Sequence, residues 1–345
     1  MIAASMYCIQ TSDKVDFSIL FGLYSISVAF FMPTIALANS VSYNALDKAG
    51  LDAVKTFPPM RVFGTVGFIV SMWIVDLSGW QTTSIQFLWS GILSVVLALY
   101  SMTMPKCETS ANKSNNSIVQ ALGLEAFKLF RNYRMALFFI FSMLLGCCLQ
   151  ITNGYAGPFL QSFGINEMYQ GTFGVEHSNI LISLSQMSET LCILLIPFFL
   201  SRFGIKKVML MSMLAWALRF GFFAVGNPGD GVWLLILSMI VYGIAFDFFN
   251  ISGSLFVDKE TDISIRNSAQ GVFMMMTNGF GASLGMIVAG WVMNMYTVNE
   301  SGLMIDKPGT GGWQEAWTIF AIYALVVAIL FALLFRCKHV TEKTN

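Results

Sequence analysis

Residues Ser185 to Leu200 read SQMSETLCILLIPFFL, an apolar run of membrane-span character that carries Gln186 and Glu189 near its start. About twenty apolar residues are needed to cross the hydrocarbon core of a bilayer as a helix. A carboxylate is expensive to bury at that depth, so Glu189 requires a specific reason. Groups that could act with this carboxylate occur in other apolar stretches of the sequence.

The whole chain has the composition of an integral membrane protein. Of its 345 residues, 56% are hydrophobic and 11% are charged, whereas soluble domains contain about 25% charged residues. Barrel strands would give shorter and weaker apolar segments, so we expect an all-α polytopic membrane protein. The nine complete spans predicted are residues 17–41, 57–77, 85–104, 135–160, 180–200, 208–225, 232–257, 270–296 and 313–335.

The distribution of basic residues predicts the orientation of these spans. Most Lys and Arg residues fall in one set of predicted loops, whereas the opposite set carries only Lys14 and Lys307. Because cytoplasmic loops are enriched in basic residues, we expect a multi-pass protein of the cytoplasmic (inner) membrane with its C-terminus in the cytoplasm. No basic cluster is interleaved with aromatic residues, so nucleic acid is not an expected partner.

A polar, basic stretch divides the chain. Residues 105–134 (PKCETSANKSNNSIVQALGLEAFKLFRNYR) follow three complete spans and precede six, and GFIVSMW at 67–73 matches GMIVAGW at 285–291 across the division. Many transporters consist of two related halves with the substrate between them. We expect an N-terminal helical half at 1–104, a cytoplasmic linker at 105–134, a six-helix half at 135–336 and a cytoplasmic tail at 337–345.

Isolated polar residues within spans are candidates for a solute site. Residues three, four or seven positions apart share one face of a helix, and four spans carry polar or aromatic faces of this kind. They comprise Arg61, Thr65 and Phe68 in RVFGTVGF, Gln150 and Asn153 in LQITN, Gln186 and Glu189 in SQMSE, and Tyr242, Phe246, Asp247 and Asn250 in YGIAFDFFN. Glu189 and Asp247 are the two clear intramembrane carboxylates.

These faces suit a neutral polar solute with several hydrogen-bonding groups, such as a sugar or a nucleoside, better than an inorganic ion. Structural alternatives stay open at this point. Polar side chains also join helices, Arg61 could extend to the inner interface, and Arg219 could be a structural counter-charge. Gly281 and Gly285 have the spacing of a close helix contact. No nucleophile–base set, metal cluster or cofactor loop is present, so we expect neither an enzyme nor a cofactor or metal.

The stretches FPPMRVFGTVGFI, LQITN, SQMSETLCILLIPFFLSRFGIKKVM and LSMIVYGIAFDFFNISGS identify a resemblance that extends over essentially the whole chain. They resemble the bacterial nucleoside permeases of the nucleoside–proton symporter family, which belongs to the major facilitator superfamily. The resemblance implies twelve helices in two halves, alternating access, and import of nucleosides such as uridine or adenosine together with protons. We expect a monomer.

The resemblance also implies roles for individual residues. The substrate site would contain Arg61, Thr65, Phe68, Gln150, Asn153, Gln186, Glu189, Tyr242 and Phe246, and Asp247 and Glu189 would serve proton coupling. Gln186 and Glu189 are expected at the ribose hydroxyls, and Phe68 or Phe246 at the base. Only the end of one span precedes residue 17, so about nine of twelve spans are present and the chain is expected to be N-terminally truncated. The alternatives are a symporter for a sugar or another polar solute, and a truncated fragment that does not transport.

Overall fold

The computed structural model describes residues 1–11, 15–51, 53–104, 124–262, 265–298, 304, 306–307 and 309–335. These residues group into two compact units, Met1–Lys113 and Ser114–Asn345. Residues 105–123 of the predicted linker and the predicted tail at 337–345 lie outside the described residues. The boundaries predicted for the two halves therefore stay a prediction.

Helices account for nearly all of the described chain. An isolated bridge between Val298 and Met304 is the only β pairing among the described residues. The first unit contains α1 (Ile2–Thr11), α2 (Phe17–Lys48), α3 (Ala53–Leu77) and α4 (Ile85–Ser101). The second contains a 3₁₀ helix (Leu124–Arg131), α5 (Tyr133–Ser162), a 3₁₀ turn (Phe163–Ile165), α6 (Phe173–Glu176), α7 (Ser178–Val225), α8 (Val232–Glu260), α9 (Arg266–Met274), a π-helix (Met275–Gly281), α10 (Ala282–Tyr296) and α11 (Gly312–Leu334).

The all-helical membrane fold predicted from the sequence is confirmed. In the described part of the chain, five helical segments are long and apolar enough to cross a membrane, namely Tyr133–Ile165, Ser178–Val225, Val232–Glu260, Ser268–Tyr296 and Gly312–Leu334. Shorter apolar helices lie at Phe17–Phe31, Val62–Leu77 and Ile85–Ser101. Each of the nine predicted spans overlaps one of these eight helical segments, and α7 contains two of the predicted spans.

The division of α7 occurs at Gly204. Its backbone has φ 75° and ψ 165°, which is non-helical and lies in the region that glycine adopts without a steric penalty. The break separates the predicted spans at 180–200 and 208–225 and falls within the basic segment SRFGIKK. Just beyond it, Lys206 Nζ donates a hydrogen bond to the Ala332 carbonyl oxygen at 3.1 Å, near the C-terminal end of α11. A lysine in this place satisfies a helix-terminal carbonyl.

The core of the second unit is aromatic and is completed by α11. The Trp317 ring lies 5.5 Å from Phe159 of α5 and 4.9 Å from Phe223 of α7, measured between ring centroids. Phe220 stacks on the same indole at 5.8 Å. All four side chains are buried. Between helices in a membrane, packing contacts of this kind rather than exclusion of water drive association.

Close backbone contact joins α5 to the π-helix and α10. A Cβ on Gly285 would lie 2.6 Å from the Cys147 Cα, and one on Gly281 would collide with the Met143 carbonyl oxygen. Only glycine permits this approach, so the close helix contact predicted from the Gly281–Gly285 spacing is confirmed.

Candidate functional site

The crossing of α7 and α8 places the SQMSE segment against the YGIAFDF segment. A Cβ on Gly243 would lie 2.6 Å from the carbonyl carbon and oxygen of Ser188, so the two backbones meet at this point. The Ser188 hydroxyl donates to the Ile240 carbonyl oxygen across the same crossing. Since Ser188 precedes Glu189 and Gly243 follows Tyr242, the crossing fixes the distance between two predicted site residues.

Tyr242 is the centre of this arrangement. Its side chain is 5% exposed, and Asp247 is 3% exposed. Both Glu189 and Asp247 interact electrostatically with the Tyr242 phenol group. The Phe246 ring stacks nearly parallel to Tyr242, with 5.9 Å between centroids and 14° between planes. The structure therefore brings together four predicted residues from two helices: Glu189, Tyr242, Phe246 and Asp247.

Arg219, on the second part of α7, joins the same group. Its side chain is 1% exposed. The guanidinium carbon lies 4.6 Å from the Tyr242 ring centroid and 5.0 Å from that of Phe223. Nη1 donates to the Ser238 carbonyl oxygen at 2.6 Å and reaches the Ser185 hydroxyl at 3.5 Å. A cation between two aromatic faces is attracted by both rings, and the attraction is strongest where water is excluded.

These contacts assign Arg219 a position that sequence reasoning did not give. The sequence allowed a structural counter-charge, but it could not show that the guanidinium covers the ring of Tyr242. The sequence contained one indication of this role, because an arginine within an apolar span needs polar or aromatic partners. What the sequence lacked was the pairing of α7 with α8 that supplies them.

The predicted site residues differ in how deeply they are buried. On α5, Gln150 is half-buried and Asn153 is exposed. On α7, Gln186 and Glu189 are half-buried, whereas Tyr242 on α8 is buried. Close to them, a small cavity of about 30 Å³ opens between α5, α7, α8 and the π-helix. Its walls are Leu145, Gly146, Leu149, Trp216, Ala245, Phe246, Phe249, Asn250, Thr277 and Asn278. Phe246 thus borders both Tyr242 and the cavity, whereas Gln150 and Asn153 do not line it.

Three predicted residues belong to the first unit and are described within it. Thr65 and Phe68 lie three positions apart in α3, so they share a face of that helix; Thr65 is half-buried and Phe68 is 53% exposed. Arg61 is part of α3, but its side chain lies outside the described part of the structure. Their participation in one site with the second-unit residues stays a prediction.

The sequence profile of the nucleoside H⁺ symporters matches residues 1–340. The chain belongs to the nucleoside–proton symporter family. It is 52% identical over 316 residues to the nucleoside permease NupG of Escherichia coli K12, which covers 91% of this chain and 73% of that protein. It is 51% identical over 329 residues to the xanthosine permease of the same organism, covering 95% and 77%.

Solved structures agree with this membership. The chain superposes on the crystal structure of the nucleoside transporter NupG with a TM-score of 0.83 at 48% identity, covering 97% of this chain and 81% of that chain. A mutant form of NupG gives a TM-score of 0.87 over 96% and 81%. Members of the nucleoside–proton symporter family are multi-pass membrane transporters and not enzymes. The resemblance, the fold class and the transport function predicted from the sequence are therefore confirmed.

Proposed function

We propose that this chain imports nucleosides such as uridine and adenosine together with protons, by alternating access between two helical halves. The proposal places the first half at residues 1–104, the cytoplasmic linker at 105–134 and the second half at 135–336, with the C-terminus in the cytoplasm. It places the substrate among Arg61, Thr65, Phe68, Gln150, Asn153, Gln186, Glu189, Tyr242 and Phe246.

The observation that carries the proposal is the group of charged side chains around the buried Tyr242. Two carboxylates, Glu189 and Asp247, and the Arg219 guanidinium all interact with this one side chain. A carboxylate within a span is costly, so one that is present is a marker of a pathway for ions or solutes. The same group therefore offers both a substrate contact and a site of protonation, as coupling of the two fluxes requires.

The proposed roles follow from the chemistry of the side chains. The amide of Gln186 and the carboxylate of Glu189 pair with ribose hydroxyls, which both donate and accept hydrogen bonds. Phe246 or Phe68 offers a flat apolar face for the base. Glu189 and Asp247 exchange the coupled proton when the two halves alternate. One proton entering down ~100 mV releases about 2.3 kcal/mol, which supports an accumulation of roughly 40-fold at about 1.4 kcal/mol per tenfold.

Uptake of labelled uridine by cells that lack their own nucleoside transporters tests the proposal. We expect accumulation that is lost when a protonophore collapses the proton gradient. No uridine uptake by the full chain would contradict the transport proposal, and accumulation that persists without the gradient would contradict proton coupling.

The two carboxylates are tested in the same assay. Glu189→Gln and Asp247→Asn are expected to reduce proton-driven accumulation, since neither amide can take up the coupled proton. The matched control is Glu167→Gln, which neutralises an exposed carboxylate in the loop between α5 and α6. Accumulation at the control level in both variants would remove these residues from the coupling mechanism.

A further inference from the structure

The cavity beside the π-helix has mostly apolar walls with a few polar groups. Aliphatic and aromatic side chains form most of its walls, and polar groups enter from only two elements: Asn250 from α8, and Thr277 and Asn278 from the π-helix. None of the polar residues at the Tyr242 group, Glu189 and Asp247 included, lines it. The cavity therefore adjoins the group around Tyr242 through Phe246 and through Trp216, whose ring packs edge-on against Tyr242 at 5.9 Å between centroids.

The π-helix explains why the cavity has this shape. A Cβ on Gly146 would collide with the Thr277 carbonyl oxygen, so the absence of that side chain allows the π-helix to rest directly on α5. The wider turn of a π-helix displaces side chains from the positions of a regular α-helix, and such turns are frequent at functional sites. Here the wider turn places Thr277 and Asn278 on the cavity wall.

The hydrogen-bonding capacity of these groups is only partly used. The Thr277 hydroxyl donates to the Phe273 carbonyl oxygen at 3.0 Å. The Asn278 side-chain nitrogen reaches only the Met274 sulfur, at 3.9 Å, which is a weak acceptor. Within the described ranges, the Asn250 amide makes no hydrogen bond. Two amides at the wall of one cavity thus retain both donors and acceptors for a ligand.

The size and chemistry of the cavity select one part of a nucleoside. A volume of about 30 Å³ is sufficient for a water-sized group, so the cavity suits a small substituent. A ribose, with several hydroxyls, needs polar partners on several sides, whereas a base has apolar faces and a polar edge. A base lying against Phe246 can direct an exocyclic oxygen or amino group past that ring towards Asn250 and Asn278.

We propose that this cavity receives an exocyclic group at the edge of the nucleobase, and that Asn250 and Asn278 select among bases by hydrogen-bonding to it. The inference rests on the proposed function, since it presumes a bound nucleoside. It adds to that function a specificity-determining subsite, distinct from the ribose contacts of Gln186 and Glu189. An asparagine amide donates to an oxo group through its nitrogen and accepts from an amino group through its oxygen, so the orientation of the two amides in the cavity sets the preference between oxo and amino bases.

Competition against labelled uridine, with unlabelled nucleosides that differ in one exocyclic group, tests the subsite. Uridine and cytidine form one pair, and inosine and adenosine form another. Asn278→Leu and Asn250→Leu keep the approximate side-chain volume and remove the hydrogen bonds. We expect the affinity ratio within a pair to change about three- to tenfold in these variants, the usual effect of a hydrogen bond between uncharged groups.

Ser252→Ala is the matched control. Ser252 lies two residues from Asn250 on α8, is fully buried, does not line the cavity, and its hydroxyl has no hydrogen-bond partner among the described residues. The affinity ratios of Ser252→Ala within each nucleoside pair should equal those of the unaltered chain. A uniform loss of affinity for all four nucleosides, or unchanged ratios, in the two Asn variants would overturn the inference.

A ligand-side measurement covers the case in which an Asn variant does not fold. Uridine lacking its 4-oxygen should bind the unaltered chain about three- to tenfold more weakly than uridine, and equal binding would overturn the inference. Failure of the unaltered chain to transport uridine at all would instead contradict the proposed function. The two outcomes are therefore distinguishable.

Discussion

Replacing Gly243 by alanine tests whether the close crossing of α7 and α8 sets the geometry of the site. The new Cβ would lie 2.6 Å from the Ser188 carbonyl carbon and oxygen, whereas ordinary van der Waals contact begins at 3.4 Å. Because both obstructing atoms are backbone, the helices must separate by the difference, about 0.8 Å. Strain of this kind in a packed interior costs ~1–3 kcal/mol.

The expected loss of stability is measured relative to a Gly→Ala substitution at a second position, because alanine is itself about 1 kcal/mol more favourable than glycine within a helix. Gly221 is the matched control: it lies in the second part of α7, and a Cβ there would meet nothing within 4 Å. The thermal unfolding midpoint of Gly243→Ala should lie below that of Gly221→Ala by about 1–4 °C, from the usual unfolding entropy per residue.

Transport should respond more strongly than stability. Ser188 and Gly243 adjoin Glu189 and Tyr242, so a separation of the backbones moves these two side chains apart. We expect uridine uptake at matched protein levels to fall in Gly243→Ala and to stay unchanged in Gly221→Ala. If both variants match the unaltered chain in midpoint and in uptake, the reasoning that the crossing positions the site is wrong.

Two further predictions concern Arg219 and Gly204. Arg219→Met removes the cation from the Tyr242 ring, a contact of ~0.5–2 kcal/mol, and since only the part of this energy that positions the phenol acts on substrate affinity, the KM for uridine should rise by at most about thirtyfold. Arg219→Lys retains the charge without the planar fork and should recover only part of the affinity. An unaltered KM in Arg219→Met would remove this residue from the site. Gly204→Ala places a side chain at φ 75° and ψ 165°, a region essentially restricted to glycine, and should lower the thermal midpoint, at a cost of about 1–3 kcal/mol. A midpoint equal to that of Gly221→Ala would show that the break is not strained.

The spans and their polar faces could be predicted because hydropathy and helical periodicity are local properties of the sequence. SQMSE and YGIAFDF were each predicted to present a polar face, and the structure brings Glu189, Tyr242 and Asp247 into one group. The break at Gly204 was likewise expected between two spans. The structure adds that the helical hydrogen bonding continues on both sides up to this single residue.

The features that escaped prediction depend on contacts between distant segments. Arg219 covers Tyr242 only because α7 and α8 pack side by side, and no local pattern encodes that pairing. The periodicity of the sequence also cannot predict the π-helix at Met275–Gly281, because its sequence, MMTNGFG, is compatible with an ordinary apolar α-helix. Its position follows from the contact with Gly146, more than a hundred residues earlier in the chain.

The aromatic core around Trp317 has a consequence for biosynthesis. Its members reside on α5, α7 and α11, so the last of these three helices to be synthesised supplies the central ring. In water, Phe159, Phe220 and Phe223 would be an exposed hydrophobic surface until that helix arrived. In a bilayer the lipid tails cover them at little cost, because lipid is as apolar as the rings. The second unit can therefore insert helix by helix and complete its aromatic core when α11 packs against α5 and α7. The hydrogen bond from Lys206 to the Ala332 carbonyl oxygen then holds the C-terminal end of α11 in place.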